Sequence, residues 1–164
     1  MIWIWAIKYG YLKKSRETDV IFDWDEFMTF EGNSWPYIQY AYVRSKRILE
    51  KAEEQWIIIE EKFDNFDSID GSELEKIQDL VKMLIRYFSS DWCLFETEEK
   101  NMPHVLAWYI FELTKTFNSF YNWVPILSEK NIEKRSFKLS LVKRFSETIK
   151  DGFEILGIEM PERM

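Results

Sequence analysis

Apolar side chains recur at spacings of three and four residues along this sequence, a pattern typical of amphipathic helices. The first long segment begins near Pro36, a residue that favours the first turn of a helix. Ser34 or Asn33, just before it, is well placed to cap the helix. The apolar spacing continues from Tyr37 to about Phe63, which predicts one long helix over that range.

Three further long segments and one short segment are also predicted to be helical. Ser72, followed three residues later by Glu75, has the pattern of a capping box and marks a helix start. Gly157 stands where a glycine commonly closes the C-terminal end of a helix. Residues 89–101 predict either a short helix or a loop. The predicted helices cover 2–14, Glu73–Phe88, Pro103–Pro125 and Ile132–Leu156.

Glycine and proline are scarce, at 5 and 4 of 164 residues. All-β folds need many turns, so this scarcity argues against them. Hydrophobic residues make up 46% of the chain, which is enough to bury a core. The length fits one domain, or one domain and a fragment of a neighbour. The sequence therefore predicts an all-α bundle of about five to six helices.

The sequence lacks the motifs of several common kinds of functional site. Glycine-rich phosphate cradles, a nucleophile elbow and the HExxH metal pattern are absent. The single Cys93 excludes a disulfide framework and suits a reducing cytosol. His104 has no identifiable catalytic partner, so we interpret it as a polar group at a helix start. No apolar run approaches the roughly 18 residues of a membrane span. We expect no catalytic residue, metal or membrane contact.

Two groups of acidic residues resemble functional sites only weakly. Asp64, Asp67 and Asp70 lack the full ligand spacing of a calcium loop, which favours a solvated surface. Asp23 and Asp25 flank a tryptophan at spacing two, so their side chains are expected to point in different directions. Neither group predicts a reaction.

The charge of the chain is divided between two regions. The net charge is −7, the opposite sign to that of most nucleic-acid-binding domains. Residues 53–75 hold nine acidic residues and one lysine, whereas residues 129–150 hold seven basic and three acidic residues. Because a local patch decides where a polyanion docks, the total charge does not exclude RNA.

Several motifs, in order along nearly the whole chain, resemble the C-terminal part of arginyl-tRNA synthetases. The combination is specific because the motifs are unlinked and keep family-like spacing. They are A-I-K-Y-G-Y-L (6–12), F-D-W-D (22–25), F-E-G-N-S-x-P-Y-I-Q-Y-A-Y-V-R (30–44), P-H-V-L-A-x-Y-I-F-E-L-x-K-x-F-N-S-F-Y-N (103–122), L-S-L-V (139–142), G-F-E-I-L-G-I (152–158) and P-E-R-M (161–164).

This resemblance implies two regions, the end of a class I catalytic domain over 1–35 and a DALR-type anticodon-binding domain over 36–164. The family's ATP-handling signatures, His-Ile-Gly-His and a Lys-Met-Ser-Lys-Ser-like loop, are absent, so we expect the chain alone to be inactive. The full-length enzyme would be a cytoplasmic arginine–tRNA ligase that uses ATP. The implied partners are tRNA(Arg) and the missing catalytic domain, and we expect a monomer if the chain folds alone.

The resemblance also implies a set of RNA-binding side chains. Single-stranded RNA is bound by aromatic rings that stack on bases and by cations that hold phosphates. Phe120 we interpret as core rather than as a stacking ring. The expected tRNA-binding residues are Tyr37, Gln39, Tyr40, Arg44, Tyr121, Asn122, Lys138, Lys143, Arg144, Arg163 and Met164.

Trp3, Trp5 and Trp35 stand where the family has glycine. Because an indole does not fit a tight loop that needs glycine, we expect strained packing near these positions. One hypothesis is that UGA codons read as glycine in the source have been translated as tryptophan. The nucleotides at these three codons test it, and UGG at all three would exclude it.

Two other functions stay open at this point. One is a free-standing RNA-binding module derived from the same domain, and the other is a helical protein-interaction domain, which a net charge of −7 would suit. Binding of tRNA(Arg) that weakens with anticodon substitution and with salt would distinguish RNA binding from protein interaction.

Overall fold

The computed structural model describes residues 2–60, 69–88, 97 and 99–161. Within these ranges the chain forms helices and no strand, which confirms the predicted all-α fold. Asp64, Asp67, Cys93, Arg163 and Met164 lie outside the described residues, as do 89–96 and 98 of the segment predicted to be a short helix or a loop. The helices are α1 (Ile2–Leu12), α2 (Trp24–Met28), α3 (Trp35–Glu54), α4 (Gly71–Phe88), α5 (Pro103–Trp123) and α6 (Ile132–Ile155).

The four long helices pack in two pairs that share one core. Helix α4 lies along α5, and α3 lies along α6. Helix α5 also contacts α3 and α6, so it is central to the bundle. At this centre the ring of Phe117 stacks on that of Phe145, with 3.7 Å between centroids. Both side chains are fully buried, and each contributes on the order of 2 kcal/mol through its burial.

Side-chain caps decide where two of the long helices begin. The Ser34 hydroxyl accepts a hydrogen bond from the Tyr37 amide, so the predicted Ser34 cap of α3 is confirmed. The predicted capping box of Ser72 and Glu75 is wrong. Helix α4 begins earlier, at Gly71, because the Asp70 carboxylate accepts hydrogen bonds from the amide and the hydroxyl of Ser72.

Helices α3 and α6 end in the same hydrogen-bond pattern. At the end of α6, the amide of Gly157 donates to the Glu154 carbonyl, and the next amide donates to Phe153. Gly157 has a φ of 64°, so the predicted glycine cap is confirmed. Trp56 occupies the equivalent position after α3, with a φ of 55°. The predicted extension of α3 to Phe63 is therefore wrong, because α3 ends at Glu54.

Residues 57–60 run in an extended conformation beside the start of α6. Ile57 and Ile59 are partly buried while Ile58 is exposed, an alternation typical of an extended segment. The Ser136 hydroxyl donates to the Ile58 carbonyl at 3.0 Å and accepts from the Glu60 amide at 2.6 Å. Ser136 thereby satisfies backbone groups that a longer helix would have paired internally.

The first two helices pack directly on the bundle. The fully buried Tyr9 lies between α1 and α5, with its hydroxyl 3.0 Å from the Ala107 carbonyl and 2.6 Å from the Asn33 side-chain oxygen. Burial raises the pKa of Tyr9, so the hydroxyl stays a hydrogen-bond donor. At Gly10 a Cβ atom would collide with the Phe27 ring, so glycine permits close packing of α1 and α2.

Trp35, the first residue of α3, belongs to the core. Its side chain is 1% exposed, and its ring meets that of Phe153 edge-on at 4.8 Å. Its indole nitrogen has no hydrogen-bond partner among the described residues. Trp3, in contrast, is largely exposed on α1. Trp3 and Trp35 therefore have very different surroundings.

Candidate nucleic-acid interface

A cleft of about 790 Å³ opens between the middle of α3 and the segment where α5 ends. Helix α3 supplies one wall, and residues 121, 122 and 124–128 supply the other. Helix α5 ends at Trp123, and the non-helical segment that follows it brings the second wall across from α3. The lining residues are Tyr40, Val43, Arg44, Arg47, Ile48, Lys51, Tyr121, Asn122, Val124, Pro125, Ile126, Leu127 and Ser128.

Arg44 lies between two tyrosine rings at this cleft. Its guanidinium carbon is 4.5 Å from the ring centroid of Tyr40 and 4.5 Å from that of Tyr121. Tyr40 and Arg44 share one face of α3 because they are four residues apart, and Tyr121 reaches them from the last turn of α5. Since Tyr40 is 51% and Tyr121 37% exposed, both rings also offer surface to a ligand.

The lining of the cleft is positively charged. Among the residues that line it are three cations, Arg44, Arg47 and Lys51, and no acidic residue. A hydrogen bond from Arg44 lowers the pKa of Tyr40, and the charges of Arg44 and Arg47 act in the same direction. The cleft therefore favours an anionic ligand although the whole chain carries −7.

Four of the residues expected to bind tRNA line this cleft, namely Tyr40, Arg44, Tyr121 and Asn122. Tyr37 does not line it, although it lies one turn before Tyr40 on α3. Its hydroxyl accepts a hydrogen bond from the Asn118 amide at 2.8 Å, and its half-buried ring packs near Phe111. Tyr37 thus contributes to helix packing.

Two expected site residues lie in the interior. Gln39 is 1% exposed, and its amide atoms have no hydrogen-bond partner among the described residues. Lys138 is fully buried, and its ammonium group lies 2.7 Å from a Glu73 oxygen and 2.8 Å from a Glu129 oxygen. Neither side chain can reach RNA in this conformation, so neither is retained as an RNA contact.

The remaining expected residues are divided between α6 and the C-terminus. Lys143 and Arg144 are on the outer side of α6 and do not line the cleft. Lys143 lies 4.0 Å from Glu147 on the same helix. Arg163 and Met164 are outside the described residues. Phe120 is fully buried, which confirms its interpretation as a core residue.

Arg47 and Lys51 line the cleft but are absent from the set expected from sequence. They follow Arg44 by three and seven residues, the spacing that places side chains on one face of a helix. The spacing from Arg44, itself an expected site residue, could therefore have predicted Arg47 and Lys51 from sequence.

Other kinds of site are not apparent in the part of the chain that the structure describes. No group of three or more histidine, cysteine or acidic side chains there could hold a metal ion. No helix within the same ranges combines the length and the apolar character needed to cross a membrane.

Comparison with known proteins matches the chain to one family over most of its length. The DALR anticodon binding domain family matches residues 38–164. The arginine–tRNA ligase of Clostridium perfringens is 38% identical over 164 residues, which are 99% of this chain and 27% of that protein. That of Escherichia fergusonii is 38% identical over 98% of this chain and 26% of its own length. The chain thus spans about a quarter of these relatives.

Solved structures agree with this assignment. Thermus thermophilus arginyl-tRNA synthetase matches with a TM-score of 0.76 and 30% identity, over 97% of this chain and 26% of that one. The Plasmodium falciparum enzyme matches with a TM-score of 0.74 and 27% identity, over 98% and 27%. The chain belongs to the family of DALR anticodon-binding domains, in the form that arginyl-tRNA synthetases carry.

Proposed function

We propose that this chain is the anticodon-binding region of an arginine–tRNA ligase and binds tRNA(Arg) for ATP-dependent arginylation by the full-length enzyme. The observation that carries the proposal is the guanidinium of Arg44, held 4.5 Å from each of two exposed tyrosine rings in a cleft without acidic residues. Relatives that match 98–99% of the chain are named arginine–tRNA ligases.

The chemistry of the cleft suits an unpaired base. Tyr40 and Tyr121 offer ring faces for stacking, and stacking on such residues contributes roughly 1–3 kcal/mol per base. Arg44 presents several N–H donors in one plane, which match acceptor atoms on a base edge or phosphate oxygens. Asn122 adds an amide that both donates and accepts hydrogen bonds. Bases inside a duplex cannot stack in this way, so an RNA loop is the expected ligand.

Residues 1–35 are proposed to be the end of the catalytic domain, whose remainder carries out the ATP-dependent chemistry in the cytoplasm. Two features support this. Tyr9 is buried against α5, so this segment is held firmly on the anticodon-binding helices. The same segment exposes large apolar side chains that a neighbouring domain would cover. They are Trp3, Ile4, Tyr11, Ile21, Phe22, Trp24 and Phe30.

Fluorescence anisotropy with a labelled tRNA(Arg) transcript tests RNA binding by the chain. We expect Tyr121→Ala to weaken binding roughly fivefold to a hundredfold, because one stacking ring is lost. Arg44→Lys is expected to weaken binding too, since lysine keeps the charge but loses the planar fork. A transcript with a substituted anticodon should bind less tightly than the natural one.

Trp123→Ala is the matched control for Tyr121→Ala. Trp123 is an exposed aromatic residue two positions along the same helix, and it does not line the cleft. Its loss should leave tRNA affinity unchanged. Absence of any tRNA binding at low salt would overturn the proposal and favour a protein-interaction domain. If Tyr121→Ala and Trp123→Ala weaken tRNA binding equally, the cleft is not the binding site.

A further inference from the structure

A row of three cations extends along the cleft from the tyrosine pair. Arg44, Arg47 and Lys51 occupy positions i, i+3 and i+7 of α3, so their side chains leave the same face of the helix. All three line the cleft. Positive charge therefore continues past the two tyrosines towards the C-terminal end of α3.

The outer two cations of this row form no salt bridge with the described residues. Within the described part of the chain, no carboxylate oxygen lies within 4.0 Å of Arg47 or Lys51, and both residues are exposed. Lys13, Lys115 and Lys138, in contrast, each have a carboxylate partner. A salt bridge would need to be broken before those lysines could bind an anion, whereas no salt bridge to a described residue holds Arg47 or Lys51.

The opposite wall of the cleft has a different character. Beyond Tyr121 and Asn122, it is formed by Val124, Pro125, Ile126, Leu127 and Ser128, of which only Ser128 is polar. A nucleotide strand lying in the cleft would place its phosphates on the charged α3 wall and its bases or sugars towards the apolar wall. The two walls thus set the orientation of the strand about its own axis.

The spacing of the cations fits successive phosphates. Arg47 and Lys51 are one turn apart, a rise of about 6 Å along the helix axis. This is comparable to the separation of neighbouring phosphates in an extended single strand, and long flexible side chains can absorb the difference. One phosphate for each cation is therefore compatible with a strand that runs parallel to α3.

We propose that Arg47 and Lys51 bind two successive phosphates next to the nucleotide whose base stacks at Tyr40 and Tyr121. The cleft then holds a short single-stranded RNA segment along α3, with the base contact at one end and two phosphate contacts beyond it. This inference rests on the proposed function and adds to it two residues and the axis, along α3, on which the strand lies.

Salt dependence of tRNA binding distinguishes these phosphate contacts from a general loss of affinity. The logarithm of the binding constant falls linearly with the logarithm of salt concentration. The steepness of this fall, taken as the absolute value of the slope, decreases by about 0.7 for each single-strand phosphate contact removed. Titrations of the full chain with a tRNA(Arg) transcript between about 50 and 200 mM salt measure this slope. We expect Arg47→Gln and Lys51→Gln each to reduce it by about 0.7, and the double variant by about 1.4.

The expected loss of affinity is the same for the natural transcript and for one with a substituted anticodon, because phosphates carry no sequence information. Lys150→Gln, at an exposed lysine of α6 outside the cleft, is the matched control and should keep the wild-type slope. Since Arg47 and Lys51 are exposed, the variants should also keep the wild-type melting temperature.

The outcomes separate this inference from the proposed function. If the wild-type chain binds tRNA and Tyr121→Ala weakens binding while both glutamine variants keep the full slope, the phosphate assignment is overturned and the function stands. If Lys150→Gln lowers the slope equally, the effect comes from total charge and the assignment is also overturned. If the wild-type chain binds no tRNA, both proposals fall.

Discussion

The ammonium group of Lys138 lies 2.8 Å from a carboxylate oxygen of Glu129, and the lysine side chain is fully buried. The same ammonium contacts Glu73 at the start of α4 and donates a hydrogen bond to the Pro125 carbonyl at 3.2 Å. Lys138 therefore joins α6, α4 and the segment that forms the second wall of the cleft. Its contribution to the cleft is indirect, through the position of that wall.

Replacing Lys138 with methionine should destabilise the fold. The substitution keeps most of the side-chain volume but leaves Glu73 and Glu129 without their shared cation. Loss of one partner from a buried ion pair costs about 3–5 kcal/mol. Urea unfolding followed by circular dichroism measures this change, and Lys150→Met, at an exposed lysine of the same helix, should cost far less. A Lys138→Met variant as stable as wild type would show that the ion pairs contribute nothing net.

Stability should also fall in acid because of Glu129. Burial acts to raise the pKa of Glu129, but hydrogen bonding from Lys138 and from the Asn131 and Lys130 amides outweighs it, so the pKa is lowered. A lowered pKa in the folded state adds stability above the unfolded value of about 4.3, and that stability is lost as the pH falls through the folded pKa. Urea midpoints between about pH 7 and 3 measure the loss.

Glu129→Gln provides the comparison for that experiment. The amide cannot ionise, so the variant should be less stable than wild type at neutral pH and should lose less stability on acidification. Equal acid dependence in the two proteins would assign the effect to other carboxylates.

The helical fold could be predicted from sequence because apolar spacing records which face of each helix is buried. The end of α3 could not. Helix ends are usually recognised by glycine, and the position after α3 that adopts a φ of 55° holds Trp56. The following isoleucines continued the apolar pattern, although they alternate between partly buried and exposed in an extended segment.

Helix periodicity also made part of the cleft predictable from sequence. Tyr40 and Arg44 share one helix face, so their proximity follows from sequence spacing alone. Lys138 was expected to face RNA because it lies in a basic stretch of sequence. Its partner Glu73 is 65 residues away in the chain, and only the packing of α4 against α6 brings the two together.

Trp56→Gly should increase stability. Trp56 adopts left-handed backbone geometry, which costs an L-residue roughly 1–2 kcal/mol, and its side chain is 91% exposed. Glycine removes that cost in the folded state, but it also raises the conformational entropy of the unfolded chain, which opposes folding. The free energy of unfolding should therefore rise by a net amount of about 0.5–1 kcal/mol. Gly157→Ala is the reciprocal test, because Gly157 occupies the same position after α6. Thermal unfolding should shift upwards for the first variant and downwards for the second.

In contrast to the monomer expected from the resemblance, the exposed apolar surface of α1 should cause self-association when the chain is produced alone. Trp3 and Ile4 are adjacent on α1, and each is more than 60% exposed. Exposed apolar patches of this kind associate unless a neighbouring domain covers them. Sedimentation velocity should therefore detect species larger than a monomer, and the double variant Trp3→Lys, Ile4→Lys should shift the distribution towards monomer. Trp123→Lys, which replaces an exposed tryptophan of α5 with one positive charge, tests whether loss of any exposed tryptophan is enough and should not produce that shift. A wild-type chain that sediments as a monomer and binds no hydrophobic dye would contradict the prediction.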